Sequence, residues 1–317
     1  MRLALMTEPQ QGLSYAELLA LARRAESADF EAFFRSDHYA SFPGSAGKPT
    51  TDAWATLAGL ARETERIRLG VLVSPVTFRH PGGLAKVVAT VDEMSGGRVE
   101  LGVGVGWNED EHRQHGLPYP PMDERFAMLE EELEILHGLW REPDGWSFTG
   151  EHWRIESAAC YPKPVQRPHP PIIVGGEGRP RSARLAARWA DEYNLNGIDP
   201  AEAARRVGAL RRACEDAGRD PETLVISMMA GVVVGANEAE MEARVAEMLR
   251  TFGLPPDEAG RWMAERRGRY VMGTPDQALE RIAAYAAAGI ERMMFQDWLP
   301  RDLEMVSLIG REIVPRA

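Results

Sequence analysis

Several short stretches hold side chains whose types and order could do chemistry. In Arg35-Ser36-Asp37-His38-Tyr39 a carboxylate stands beside an imidazole, which joins a proton acceptor to a carrier that titrates near neutrality. Asp37 and His38 are therefore the candidate catalytic pair. Gly70-Val71-Leu72-Val73 is apolar and yields abruptly to Ser74, Pro75, Thr77, Phe78, Arg79 and His80. Gly102-Val103-Gly104-Val105-Gly106-Trp107-Asn108 alternates glycine with larger residues, a pattern that lets a ligand or another strand approach the backbone. Gly175-Gly176-Glu177-Gly178-Arg179-Pro180 sets glycines just ahead of a helix, where free amide hydrogens and the helix dipole suit an anion such as phosphate. Each stretch also has a plain structural reading: a capping aspartate, a proline that ends a strand, glycines that relieve crowding, a turn that needs positive φ.

What must position these residues is a set of short apolar runs alternating with longer amphipathic ones, the pattern of βα units around a parallel sheet. Eight runs read as strands: Arg2–Met6, Ala32–Ser36, Arg68–Val73, Val99–Val103, Pro171–Val174, Glu192–Leu195, Val225–Val233 and Arg292–Gln296. Between them apolar residues recur at helical spacing, as in Leu18, Leu19, Ala22 and Ala25, or Met128, Leu129, Leu133, Leu136 and Leu139. Ser14 with Glu17 three positions on predicts a capped helix start, and Pro81, Pro180, Pro200 and Pro275 suit first turns. Eight such units in 317 residues predict a single (β/α)8 barrel, an α/β fold whose active site forms where the strands end. An open doubly wound sheet would need a glycine fingerprint after the first strand, and Met6 to Gln11 has none.

Two segments break the alternation. Residues 142–171 carry Trp146, Phe148, Trp153 and Ile155 around Thr149–His152 and read as a β-hairpin followed by a proline-rich extended passage. Residues 251–272 link the last two units through Pro255, Pro256 and a predicted basic helix containing Arg261, Arg266, Arg267 and Arg269. The net charge of −11 is spread along the chain, which makes nucleic acid and anionic membranes poor partners. Two cysteines without CxxC or HExxH spacing predict no metal site. With no secretory leader and no apolar run of spanning length, the expected location is cytoplasmic.

In combination these stretches resemble the luciferase-like monooxygenase superfamily, and within it the branch that uses the deazaflavin coenzyme F420. The resemblance rests on residues 33–39, 65–116, 121–140 and 162–178, with the unbroken match from Glu65 to Gly116 the most specific. It implies that Asp37 and His38 lie near the reactive ring and shuttle a proton, with Asp37 also in contact with the cofactor. It implies that Leu72, Val73 and Ser74 back the ring, with a non-proline cis peptide at Leu72–Val73. Gly106, Trp107 and Asn108 are similar to a cofactor-contacting loop, and Gly175, Gly176, Glu177 and Gly178 to a phosphate loop. Tyr39, Phe78, Glu111, His112 and Trp298 are the expected substrate-pocket residues.

One departure stands out: related deazaflavin sugar-phosphate dehydrogenases carry an acidic glutamate where this chain has Trp107, which puts a sugar-phosphate activity in doubt. The activity implied is hydride transfer between F420 and a small organic molecule. The alternatives are a reduced-FMN monooxygenase of the same superfamily and a non-catalytic barrel subunit. The resemblance further implies a homodimer packed through helices near strands two to four, whose apolar face could include Trp54, Leu57 and Leu60.

Overall fold

Strand pairing carries the chain once around a closed ring. In the computed structural model, which describes residues 1–43 and 47–317, the strands are β1 (Arg2–Thr7), β2 (Ala32–Arg35), β3 (Arg68–Pro75), β4 (Val99–Gly104), β5 (Trp146–Thr149), β6 (Arg154–Ala158), β7 (Ile172–Gly176), β8 (Glu192–Asn196), β9 (Val225–Val234), β10 (Val271–Gly273) and β11 (Arg292–Asp297). Parallel pairing runs β1-β2-β3-β4-β7-β8-β9-β11 and returns to β1, so eight strands close a barrel with the helices packed outside it. All eight predicted strands are present, with ends shifted by a residue or two.

The strands form because nearly every position is buried, outward residues under helices and inward ones in the barrel. Ala4, Met6, Ala32, Phe34, Leu72, Ile173 and Met294 make a small inner cluster separate from the large outer core. The start signals hold: Ser14 and Glu17 form a reciprocal capping box, and Pro81, Pro180, Pro200 and Pro275 open their helices.

The strands' N-terminal ends are plugged by charge. Arg292 of β11 donates to Glu100 of β4 at 2.7 Å and Glu192 of β8 at 3.1 Å, and pairs with Glu31 at 3.0 Å. Burial opposes charge on both glutamates, yet Arg292 and Arg68 hold the Glu100 carboxyl below its usual range while Glu192 is pushed up.

The expected hairpin is present as β5 paired antiparallel with β6. The second inserted segment differs from expectation. Its helix spans Ala259–Arg266, so Arg267 and Arg269 lie beyond it, and Val271–Gly273 forms β10 beside the outer half of β9. Three residues are too few to display a strand period. Trp54, Leu57 and Leu60 are buried within the chain itself, with Trp54 Nε1 donating to Ser74 Oγ at 3.0 Å, so they pack the helix onto the barrel and offer no outer face. Among the described residues no helix is long and apolar enough to cross a membrane, and no group of three or more His, Cys, Asp or Glu could hold a metal ion.

Candidate active site

The C-terminal ends of the strands surround a cavity of about 780 Å³, within the size range of small-molecule and cofactor sites. Its floor is made by a deformation of β3. The Leu72–Val73 peptide is cis, and the register between β3 and β4 shifts between Val71 and Ser74. A Cβ on Gly104 would lie 2.8 Å from Val73 Cγ2, and one on Gly175 would lie 2.9 Å from Val73 Cγ1. The glycines of β4 and β7 thus make room for the Val73 side chain, which packs on the inner cluster and lines the cavity as an apolar platform. The close approach anticipated for a ligand or strand is made by this valine. Met6, Leu72, Val105 and Met229 extend the apolar lining.

His38, just beyond β2, lines the cavity. Its Nδ1 donates to Glu111 Oε1 at 2.8 Å, and the other carboxylate oxygen accepts the Tyr39 amide at 3.0 Å. Glu111 comes from the Glu109–His115 helix after β4 and is 1% exposed. With Nδ1 committed, Nε2 is the ring atom left to exchange a proton with a ligand. Phe42 and Trp107 close edge-on against the imidazole at 4.4 and 5.7 Å.

Asp37 does not join this pair. It faces away from the cavity, buried in an ion pair with Arg79 and accepting from Ser74 Oγ at 3.0 Å, while Arg79 also donates to Asp52 at 2.6 Å. The reason is alternation: at a strand end neighbouring side chains turn opposite ways, and only His38 turns inward. Ser74 is held between Trp54 and Asp37 and is likewise outside the lining. Tyr39 stacks on Phe78 at 4.6 Å behind His38, and neither lines the cavity. Burial pushes the Tyr39 phenol up, so it stays neutral. His112 accepts from Thr77 Oγ1 at 2.6 Å and donates to the Asn108 carbonyl at 2.6 Å. Both its ring nitrogens are used, and it braces the loop rather than lining the cavity. Of the loop residues after β4, Gly106 and Trp107 line the cavity and Asn108 does not.

At the end of β7, Gly175, Gly176 and Glu177 line the cavity, together with Arg179 and Ser182 at the start of the Pro180–Trp189 helix. Gly178 does not. It adopts φ 67° and its amide donates to Tyr193 Oη at 2.8 Å, which donates on to Ser182 Oγ at 2.9 Å. Gly178 therefore shapes the turn, and the tyrosine from β8 keeps its amide from serving as an anion donor. The helix N-terminus with Arg179 fits a phosphate, the apolar floor fits a planar ring, and His38 fits a proton carrier.

Trp298, after β11, forms part of the wall. Glu8 and Gln296 also line the cavity, and reasoning from the sequence missed both. Gln296 Nε2 donates to Glu8 Oε1 at 2.6 Å, Gln10 Nε2 to Glu8 Oε2 at 2.7 Å, and Ser36 Oγ to Gln10 Oε1 at 2.7 Å. Gln296 pairs in register with the inward-facing Met6, and that placement was the available signal.

The sequence pattern of the family described as luciferase-like monooxygenase matches residues 1–292. Among relatives, an F420-dependent glucose-6-phosphate dehydrogenase of Microbacterium testaceum is 32% identical over 95% of this chain and 93% of its own length. An FMNH(2)-dependent dimethylsulfone monooxygenase of Pseudomonas putida is 29% identical over 93% of this chain and 86% of its own. The solved structure of a coenzyme F420-dependent tetrahydromethanopterin reductase from Methanopyrus kandleri superposes with a TM-score of 0.80 at 20% identity, covering 99% of this chain and 98% of that one.

Proposed function

The chain belongs to the luciferase-like monooxygenase family, and we propose that within it this protein is a coenzyme F420-dependent oxidoreductase that moves a hydride between the deazaflavin and a small organic substrate. The observation that carries the reading is the His38–Glu111 pair at the cavity wall. A hydride transfer to or from a carbonyl or carbinol carbon needs a proton moved at the adjacent oxygen, and His38 Nε2 is placed to hold it.

When bound, F420 supplies a ring carbon that accepts or donates hydride. Gly175, Gly176, Arg179 and the first turn of the Pro180–Trp189 helix would hold its phosphate, and Leu72 and Val73 would support its ring. In the oxidative direction His38 Nε2 would accept the substrate's hydroxyl proton. In the reductive direction His38 would return that proton to the carbonyl oxygen. Glu111 fixes the His38 tautomer and stabilises the imidazolium while the proton is held. Phe42 and Trp107 keep the imidazole in place and limit water around it.

The second reading, a reduced-FMN monooxygenase, rests on the likeness to the dimethylsulfone enzyme. Oxygen chemistry favours a closed, dry pocket, whereas the mouth here is bordered by Trp107 at 61% exposure and Met122 at 48%. His38→Asn tests the hydride reading. It should bind F420 as the parent does and lose about 10²- to 10⁴-fold in turnover, the range for a lost acid or base. Unchanged turnover would remove His38 from the mechanism.

A further inference from the structure

The cavity has an anionic, cation-poor lining and an apolar mouth. Among the described residues that line it, the carboxylates are Glu8, Glu111 and Glu177, and the one guanidinium is that of Arg179. Arg179 is already bound to Glu177 at 2.7 Å. Two further arginines make bonds within the protein. Arg125 donates to the carbonyls of Val105 and Pro120 at 3.0 Å and lies 4.0 Å over the Tyr119 ring. Arg206 is held by Glu202 at 2.6 Å. A phosphorylated substrate would need a second anion site beyond the loop after β7, and among the described residues that line the cavity no lysine or second arginine supplies one.

The mouth carries the opposite signal. Trp107 and Met122 both line the cavity, and both are far more exposed than large apolar side chains ordinarily are. Phe42 contacts Trp107 edge-on at 4.9 Å, and Phe126 lies on the same wall. Trp107 is held open to solvent with its carbonyl accepting from Tyr119 Oη at 2.9 Å, so its place at the rim is fixed by the backbone.

We propose that the substrate is an uncharged, largely apolar organic molecule whose body seats against Phe42, Trp107, Met122 and Phe126 with its reacting oxygen toward His38, and that it is not a sugar phosphate. This rests on the coenzyme reading above, because the loop after β7 is taken to be occupied by the coenzyme's own phosphate. Association is driven by covering the apolar rim, so it should carry a negative heat-capacity change.

Calorimetric titration of the full chain, with and without saturating F420, by 2-octanone and by glucose 6-phosphate tests this. The expected result is saturable binding of 2-octanone with negative ΔCp, weakened about tenfold by Trp107→Ala and by Met122→Ala, and no saturable heat from glucose 6-phosphate. Because both side chains are exposed, the variants keep the fold. Saturable glucose 6-phosphate binding, absent 2-octanone binding, or affinity indifferent to both substitutions would each overturn the proposal. If F420 fails to bind while 2-octanone binding still depends on Trp107, the coenzyme reading fails and the substrate class stands.

Discussion

Glu132, on the Met122–Arg141 helix, is fully buried, and among the described residues neither carboxylate oxygen has a hydrogen-bond partner. Burial pushes its carboxyl from the usual 4.5 up to about 8, with Arg79 pulling weakly the other way. An interval of that size is worth roughly 5 kcal/mol. Below pH 4.5 the group is protonated in folded and unfolded chains alike and costs nothing extra. As pH rises toward 8 the unfolded chain ionises first, so folding stability falls, and above 8 the loss levels off. Glu132→Gln keeps shape and hydrogen-bonding capacity but cannot ionise. Urea unfolding of both proteins from pH 5 to pH 9 should show the variant's advantage growing with pH to several kcal/mol, at most roughly 5. A constant difference between parent and variant across that range would refute the account of Glu132 as a buried, neutral acid.

Arg292→Met should destabilise the fold by about 3–5 kcal/mol in the same assay, because it strands Glu100 and Glu192 in the barrel floor. A loss below about 1 kcal/mol would mean the plug is hydrated. Glu111→Gln offers one oxygen to two donors, His38 Nδ1 and the Tyr39 amide. Turnover should fall roughly 10- to 100-fold with F420 affinity unchanged. Trp298 separates the main cavity from a second one of about 470 Å³ lined by Arg244, Glu247 and Asp302. Trp298→Ala should connect them and shift preference toward bulkier substrates, seen as a changed ratio of kcat/KM between short- and long-chain ketones.

The barrel was readable in the sequence because most barrel strands are buried on both faces and so carry short apolar runs, as in residues 3–6 of β1 and 228–234 of β9. Position along the chain also identified strand ends, which is why His38, Leu72, Val73, Trp107 and Gly175 fall on the cavity. Direction was less readable. Asp37 and His38 are neighbours in sequence, yet Asp37 turns to an arginine supplied by the next βα loop. The glycines of β4 face a valine from β3, a contact set by a register shift that no local pattern encodes. Gly178 lost its anion-binding role to Tyr193, a residue of the following strand. Glu8 and Gln296 meet only once the first and last strands pair, since closure brings the two ends of the chain together.

Titrating the purified protein with coenzyme F420 and, separately, with FMN while following tryptophan fluorescence distinguishes the two cofactors, because Trp107 and Trp298 both line the cavity. Saturable quenching by F420, abolished by an Arg179→Glu substitution at the phosphate loop, is expected together with much weaker binding of FMN. Tight binding of FMN with little affinity for F420 would contradict the F420 reading and favour oxygen chemistry.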